Sequence, residues 1–200
     1  FIPTIANHTS NYFLIISSSK IFSYAGQRIA MVIISPELID KRYKNLYNFF
    51  QTEKIGHAFV HGGIYPTTAG VSRTAQNALA ALFESANNGG YDFLDEVKIY
   101  ANRAKKIKNI FLSQGFNIVY DNDMGEPIGD GFYFTISRDN MLGSELLLLM
   151  LCYGMAGITL NTTGSKKEGI RICVSLVSDD QINALEERLA KLNSFLNCSD

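Results

Sequence analysis

Lys20 sits among residues whose types suit one kind of chemistry. Ser17, Ser18 and Ser19 precede it, and Ile21-Phe22-Ser23-Tyr24-Ala25-Gly26-Gln27-Arg28 follows. A lysine amine that is desolvated in a pocket, or set near other cations, gives up its proton more readily and can form a Schiff base with a carbonyl. Serine hydroxyls and an arginine are anion ligands, and Arg28 can grip phosphate oxygens with two parallel hydrogen bonds. Gly26 lets the backbone come close to a bound group. On residue types alone a plainer reading stands beside this one: a serine-rich loop with a surface lysine and a structural arginine. Arg171 is the second candidate. It lies in the apolar run Ile170-Arg171-Ile172-Cys173-Val174. Burying a guanidinium unpaired is costly, so its expected partner is an anion. The alternative is an arginine facing outward from an alternating strand.

Other constellations carry less. His57 and His61 are spaced to share a helix face, but no acidic third ligand or HExxH pattern accompanies them, and Gly62-Gly63 argues for a loop there. No metal site is expected. Gly129-Asp130-Gly131 is too short for a dinucleotide fingerprint, and there is no Walker sequence or nucleophile elbow.

The elements that must position Lys20 and Arg171 can be read from hydropathy. Residues 12–16 form a compact apolar run that predicts a buried strand, with Lys20 just beyond its C-terminal end. Open α/β sheets place their ligand crevice at that end. Residues 29–34 predict a second strand. Pro36 opens a helix expected over 36–51. Residues 56–70 hold four glycines, a proline and two adjacent threonines, which predict a loop. A helix is expected from Ser72 to about Ala86, closed by Asn88-Gly89-Gly90.

A longer helix follows over 92–114, with Val97, Tyr100, Ala104, Ile107 and Phe111 as its apolar stripe. Its opposite face, with Lys98, Arg103, Lys105, Lys106 and Lys108, reads as a solvated surface. Strands are then expected over 117–120 and 131–136, joined by the turn-rich residues 121–130. A helix over 144–153 and strands over 157–160 and 169–176 follow. Ser178 and Gln181 form a capping-box pattern before a final helix. Ile182, Leu185, Leu189, Leu192 and Phe195 line one of its faces. This order predicts residues 1–105 as part of a larger α/β layer and residues 106–200 as a smaller α/β unit.

Composition bounds the setting. Among 200 residues, 46% are apolar and 18% charged, an ordinary globular mixture. Eighteen basic and nineteen acidic side chains leave a net charge of −1, so neither a nucleic acid nor an anionic membrane is an expected partner. Cys152, Cys173 and Cys198 are widely spaced and odd in number, which argues against disulfides or zinc and for a reducing, cytoplasmic setting. Cys152 and Cys173 lie in apolar runs and are expected to be buried. The longest apolar stretch, residues 146–160, is short for a bilayer span. There is no secretory signal pattern at the N-terminus. The chain opens close to a strand and without Met, and upstream sequence is expected.

With its full spacing, Ser17-Ser18-Ser19-Lys20 through Gly26 and Arg28 resembles the S-x-S-K-x-x-x-x-x-G-x-R signature of the class I/II, fold-type I aminotransferases, which depend on pyridoxal 5'-phosphate. In that family the lysine forms the internal aldimine, and the serine and arginine matching Ser17 and Arg28 bind the cofactor phosphate. Ser19 also matches. Ala30 departs from the pattern, standing where the family often has glycine. Glu168-Gly169-Ile170-Arg171-Ile172-Cys173-Val174-Ser175 resembles the family's arginine-bearing strand, whose arginine holds the substrate's α-carboxylate. Thr68 to Gln76 resembles the segment that reaches the neighbouring subunit's active site, and Gly131-Phe132-Tyr133-Phe134 resembles a small-domain strand.

The resemblance implies an α/β fold: the end of the large-domain sheet plus the small C-terminal domain. It implies pyridoxal phosphate held by Lys20, Ser17, Ser19 and Arg28. It further implies that Arg171 binds substrate and that the amino group of an amino acid passes to a 2-oxo acid in a homodimer. The family's ring-binding Asp-x-x-Tyr element has no counterpart here, since none of the residues before Lys20 is an aspartate and Asn7 with Tyr12 has the wrong spacing. The chain is therefore expected to be the C-terminal half of the enzyme and inactive by itself. A lyase or cyclase of the same fold, or a non-catalytic regulatory module, are the alternatives. Phe22, Tyr24 and Tyr65 suit an apolar substrate pocket or plain core packing.

Overall fold

The computed structural model describes residues 4–129 and 131–197, so Asp130 and Cys198 lie outside the described residues. The chain forms two compact units, Phe1–Phe93 and Leu94–Asp200.

In the first unit, β1 (Phe13–Ser17) runs directly into the short helix α1 (Ser18–Ile21). It pairs antiparallel with β2 (Ala30–Ile34), Phe13 opposite Ile34 and Ser17 opposite Ala30. The buried strand expected here is only half covered. Leu14 and Ile16 are half-buried, while Phe13 and Ile15 face outward, Ile15 at 68% exposure. The physical reason is period two: alternate side chains fall on opposite faces of this two-stranded ladder, and the face of Phe13 and Ile15 is covered only in part, with the Phe13 ring 5.2 Å from Phe59.

The single helix expected over 36–51 is two helices, α2 (Pro36–Ile39) and α3 (Lys44–Phe50). Between them the backbone is drawn into pairing with a later segment. Arg42 bridges Lys54, the Tyr43 N–H donates to the Glu53 carbonyl at 2.8 Å, and the Ile55 N–H donates to the Lys41 carbonyl at 3.1 Å.

The loop expected over 56–70 is instead largely helical: α4 (Ile55–His57), a wide π-helical stretch (Ala58–Ile64) and α5 (Tyr65–Thr68). Its glycines serve packing here. A Cβ on Gly62 would collide with the Phe50 ring, and one on Gly56 would collide with Ile39. Helix α6 (Arg73–Asn87) follows, capped by Ser72. Its Ala75 and Leu79 pack on Ile29, with Phe22, Tyr24, Met31 and Phe83 around them.

The second unit contains most of α7 (Phe93–Ser113). The boundary expected near residue 105 falls inside this helix, where Ala104, Ile107 and Phe111 all belong to the core of the second unit. Strands β3 (Asn117–Ile118), β4 (Asn122–Asp123), β5 (Glu126–Pro127) and β6 (Tyr133–Ser137) precede helix α8 (Gly143–Cys152). Strands β7 (Ile158–Thr159) and β8 (Ile170–Cys173) and helix α9 (Asp179–Asn197) complete the unit. The main sheet has the order β3-β6-β8-β7, all neighbours antiparallel.

Alternation along β6 and β8 buries Phe134, Ile136, Ile170 and Ile172 against Ile107, Phe111, Leu146, Met150, Leu189 and Leu192 from the helices. The expected cap of α9 is formed reciprocally. The Ser178 N–H donates to Gln181 Oε1 at 2.8 Å, and the Gln181 N–H donates to Ser178 Oγ at 3.4 Å. On α7, exposed Lys98 lies 2.7 Å from Asp95, as a solvated charged face does, whereas Lys108, expected on the same solvated face, is only 14% exposed in its side chain and lies 3.2 Å from Asp121. Arg103 instead donates to the Ser175 carbonyl at 3.0 Å.

Cys152 and Cys173 are exposed, contrary to expectation. Cys173 alternates with buried Ile172 and Val174, and Cys152 ends α8 off the face that buries Leu146 and Met150. Among the described residues no helix is long and apolar enough to cross a membrane.

Candidate functional site

Ser17 caps α1, its side chain accepting the Ser19 N–H at 3.3 Å. This cap turns the chain from strand into helix and puts Lys20 on an exposed turn at the end of the β1–β2 ladder. The loop that returns to β2 contains two non-glycine residues in the left-handed region, Ser23 and Arg28, both at φ 52°. Such residues cost on the order of 1 kcal/mol each and persist where the surroundings over-determine them. Arg28 is exposed, and its Nη1 donates to the Ala25 carbonyl at 2.9 Å. Among the described residues the remaining donors of its fork have no hydrogen-bond partner. Gly26 does not have a positive φ, and a Cβ there would meet nothing within 4 Å. The packing of the described chain therefore does not require glycine at that position.

The residue that closes this loop is one the sequence reading passed over. Ser18 is fully buried, and its hydroxyl donates to the Ile29 carbonyl at 2.6 Å. Its N–H donates to the same oxygen at 3.3 Å, and its carbonyl accepts the N–H groups of Phe22 and Tyr24. Ser17, Ser19, Lys20 and Arg28 are brought to one end of the ladder by these bonds. The available signal was an unbroken run of serines, too generic to mark the middle one. Phe22 and Tyr24 pack into the small core of this unit, whereas Tyr65 is exposed.

Arg171 lies on β8, opposite Thr135 of β6 and Ile158 of β7. It is half-buried, between buried Ile170 and Ile172. Its Cζ lies 4.5 Å from the Tyr133 ring centroid, a cation–π contact that holds the guanidinium without neutralising it. Among the described residues no carboxylate pairs with it. The nearby Glu168 is already engaged, accepting the Gly143 N–H at 2.6 Å at the start of α8. Gly169 sets the approach of this strand. Its φ is 142°, and a Cβ there would run into the Ile136 carbonyl oxygen.

The histidine pair has ring centroids 4.5 Å apart, but no cluster of three or more His, Cys, Asp or Glu suited to a metal occurs among the described residues. Ser72 and Gln76, in the segment before α6, are used locally. Ser72 Oγ accepts the Ala75 N–H at 3.5 Å, and Gln76 Nε2 donates to the Val71 carbonyl at 3.0 Å.

No protein-family model matches the sequence, and no curated protein matches it. Solved structures do. The aspartate aminotransferase of Thermotoga maritima superposes on 98% of this chain with a TM-score of 0.67 at 18% identity. The α-aminoadipate aminotransferase of Thermus thermophilus, solved with N-(5'-phosphopyridoxyl)-L-leucine, covers 94% with a TM-score of 0.66 at 12% identity. The L-threonine-O-3-phosphate decarboxylase of Porphyromonas gingivalis covers 98% with a TM-score of 0.58 at 15% identity. The chain spans 43%, 43% and 51% of these three chains. At such identities the likeness is one of fold. The chain has the α/β fold of the C-terminal portion of the pyridoxal-phosphate fold-type I enzymes.

Proposed function

We propose that the protein is a pyridoxal-phosphate-dependent aminotransferase, transferring the amino group of an amino acid to a 2-oxo acid. The observation that carries this reading is the Ser17–Lys20–Arg28 spacing, gathered at one end of a strand ladder by the Ser18–Ile29 bonds. The donor set fits the cofactor. An exposed amine at Lys20 suits an aldehyde, and the hydroxyl of Ser17 with the uncommitted donors of Arg28 suits a phosphate dianion. Ser19 is the remaining cofactor-side candidate. When bound, pyridoxal phosphate supplies an electron sink for charge developing at the substrate Cα.

The residues of this chain do the rest. Arg28 and Ser17 anchor the phosphate end against rotation. Arg171 forks onto the α-carboxylate and orients the substrate. The Nζ of Lys20 accepts the Cα proton and returns it, as general base and then acid. The wider reading includes a homodimer and a cytoplasmic setting.

The test is reductive trapping. The intact protein is incubated with pyridoxal phosphate, treated with borohydride and peptide-mapped. The expected result is label at Lys20 that is lost in Lys20→Ala. Label scattered over surface lysines, unchanged in Lys20→Ala, would sink the proposal. A decarboxylase or other lyase is the second reading, favoured by the likeness to the Porphyromonas enzyme. Release of carbon dioxide or ammonia in place of a 2-oxo acid would select it.

A further inference from the structure

Ser18 has no role in the chemistry above, yet it is fully buried and tied by hydrogen bonds on both sides. It donates to Ile29 through its hydroxyl and its N–H, and its carbonyl accepts from Phe22 and Tyr24. The position has a geometric consequence. Ser18 is bonded covalently to Ser17 and by hydrogen bonds to Ile29, the neighbour of Arg28. The hydroxyl therefore adds the shortest bond, 2.6 Å, where the ladder and the Ser18 N–H already join the two ends of the segment that carries the candidate phosphate ligands.

The bonds also bear on strain. The loop between them holds Ser23 and Arg28 in the left-handed region. A chain released at Ser18 is free to relax both residues toward ordinary backbone angles, and the guanidinium of Arg28 would swing with its backbone. The apolar support available is thin. At the loop's closing end Ile29 packs on Ala75 and Leu79, with Phe22 and Tyr24 of the loop partly buried against them. Burial of Ser18 without its hydroxyl would leave the Ile29 carbonyl with only the longer bond from the Ser18 N–H, 3.3 Å. The loop would then gain by opening to water.

We propose that Ser18 is a positioning residue for the phosphate-binding pair. It acts through the Ile29 carbonyl to fix Arg28 relative to Ser17 and thus to select a phosphorylated aldehyde over an unphosphorylated one. This rests on the cofactor reading above, and the experiment separates the two.

The intact protein and its Ser18→Ala and Ser18→Thr variants are labelled at Lys20 with pyridoxal phosphate and, in parallel, with pyridoxal. Each is followed by borohydride and peptide mapping. The preference is the ratio of the concentrations of pyridoxal and pyridoxal phosphate that give half-labelling. Pyridoxal reports the lysine and the fold, and the preference reports the phosphate grip.

The expected result is that Ser18→Ala keeps its labelling by pyridoxal and loses about tenfold of the preference, the scale of one buried hydrogen bond. Ser18→Thr, which keeps the hydroxyl, should recover most of it. In an Arg28→Ala background, Ser18→Ala should cost no further preference, because both act on one group.

An undiminished preference in Ser18→Ala overturns the inference. So does equal loss of labelling by both aldehydes together with a lowered melting temperature, which would make Ser18 a folding residue only. If the unaltered protein shows no Lys20 labelling, or no preference for the phosphorylated aldehyde, the cofactor reading itself fails and the inference falls with it.

Discussion

The two candidate anion-binding arginines are held by opposite means. Arg171 stands on a strand with sheet partners on both sides, between isoleucines buried in a core shared by β6, β8, α7, α8 and α9. Arg28 stands at the end of a two-stranded ladder, beside a core whose buried members are Ile29, Ala75 and Leu79. It is left-handed, donates to the Ala25 carbonyl, and its neighbour Ile29 accepts from Ser18. Packing positions the first and polar bonding the second. A group positioned by packing fails with its whole unit. A group positioned by a few hydrogen bonds can be lost while its unit stays folded.

The sharpest way to break this contrast is at Gly169. Gly169→Ala puts a Cβ against the Ile136 carbonyl at a φ that only glycine adopts easily. It is expected to destabilise the second unit by about 3 kcal/mol, read as a lowered thermal midpoint. Exchange protection of the β1 and β2 amides should change little. Equal loss of protection in β1 and β2 would show that the two units do not fail separately.

A smaller effect is expected at Tyr133. Replacing it by leucine removes the ring under the Arg171 guanidinium and should weaken binding of a substrate carboxylate by ~1 kcal/mol, read as a raised KM with kcat nearly kept. Tyr133→Phe should behave as the natural residue. If leucine is silent, backbone packing alone fixes Arg171.

The smallest effect concerns the surface of the first unit. Asp40 is held below the ordinary aspartate value of 3.8, first by its hydrogen bond from Lys54 and then by the charge of that ammonium. A carboxylate lowered in the folded state contributes stability above its unfolded value, and that contribution is lost as pH falls through the folded one. The pair is exposed, so the contribution is screened and small. An NMR titration of Asp40 should give a midpoint below 3.8 that rises in Lys54→Met. An unmoved midpoint would leave the Arg42–Lys54 bridge, and not the ion pair, as the tie between these segments.

Much of this molecule was legible residue by residue. The stripes of α7 and α9 are visible because a helix core face repeats at three and four residues. Ala104, Ile107, Phe111, Ile182, Leu189 and Leu192 are buried, but Val97 and Phe195, the outer members of the same stripes, are exposed because they lie toward the helix ends. The Ser178 cap was visible because its partner lies three residues away. The Lys20 segment was visible because its residue types are unusual in combination.

Two of the misreadings come from distant partners and the third from strand alternation. The 56–70 segment was expected to be a loop because glycine favours turns, but Gly56 and Gly62 are there to admit Ile39 and Phe50. The helix over 36–51 is interrupted because residues 41–43 hydrogen-bond to residues 53–55. Cys173 faces outward because β8 keeps strict alternation, although its neighbours in sequence are all apolar.

By itself the sequence determined what depends on near neighbours along the chain: helix faces, caps, and the Ser17, Lys20 and Arg28 types at their spacing. Tertiary structure alone decided which glycines serve packing, where helices break, and that Ser18, one of a run of serines, closes the loop on Ile29. Those outcomes depend on atoms brought together from distant positions, and a local pattern holds no record of the partner that will arrive.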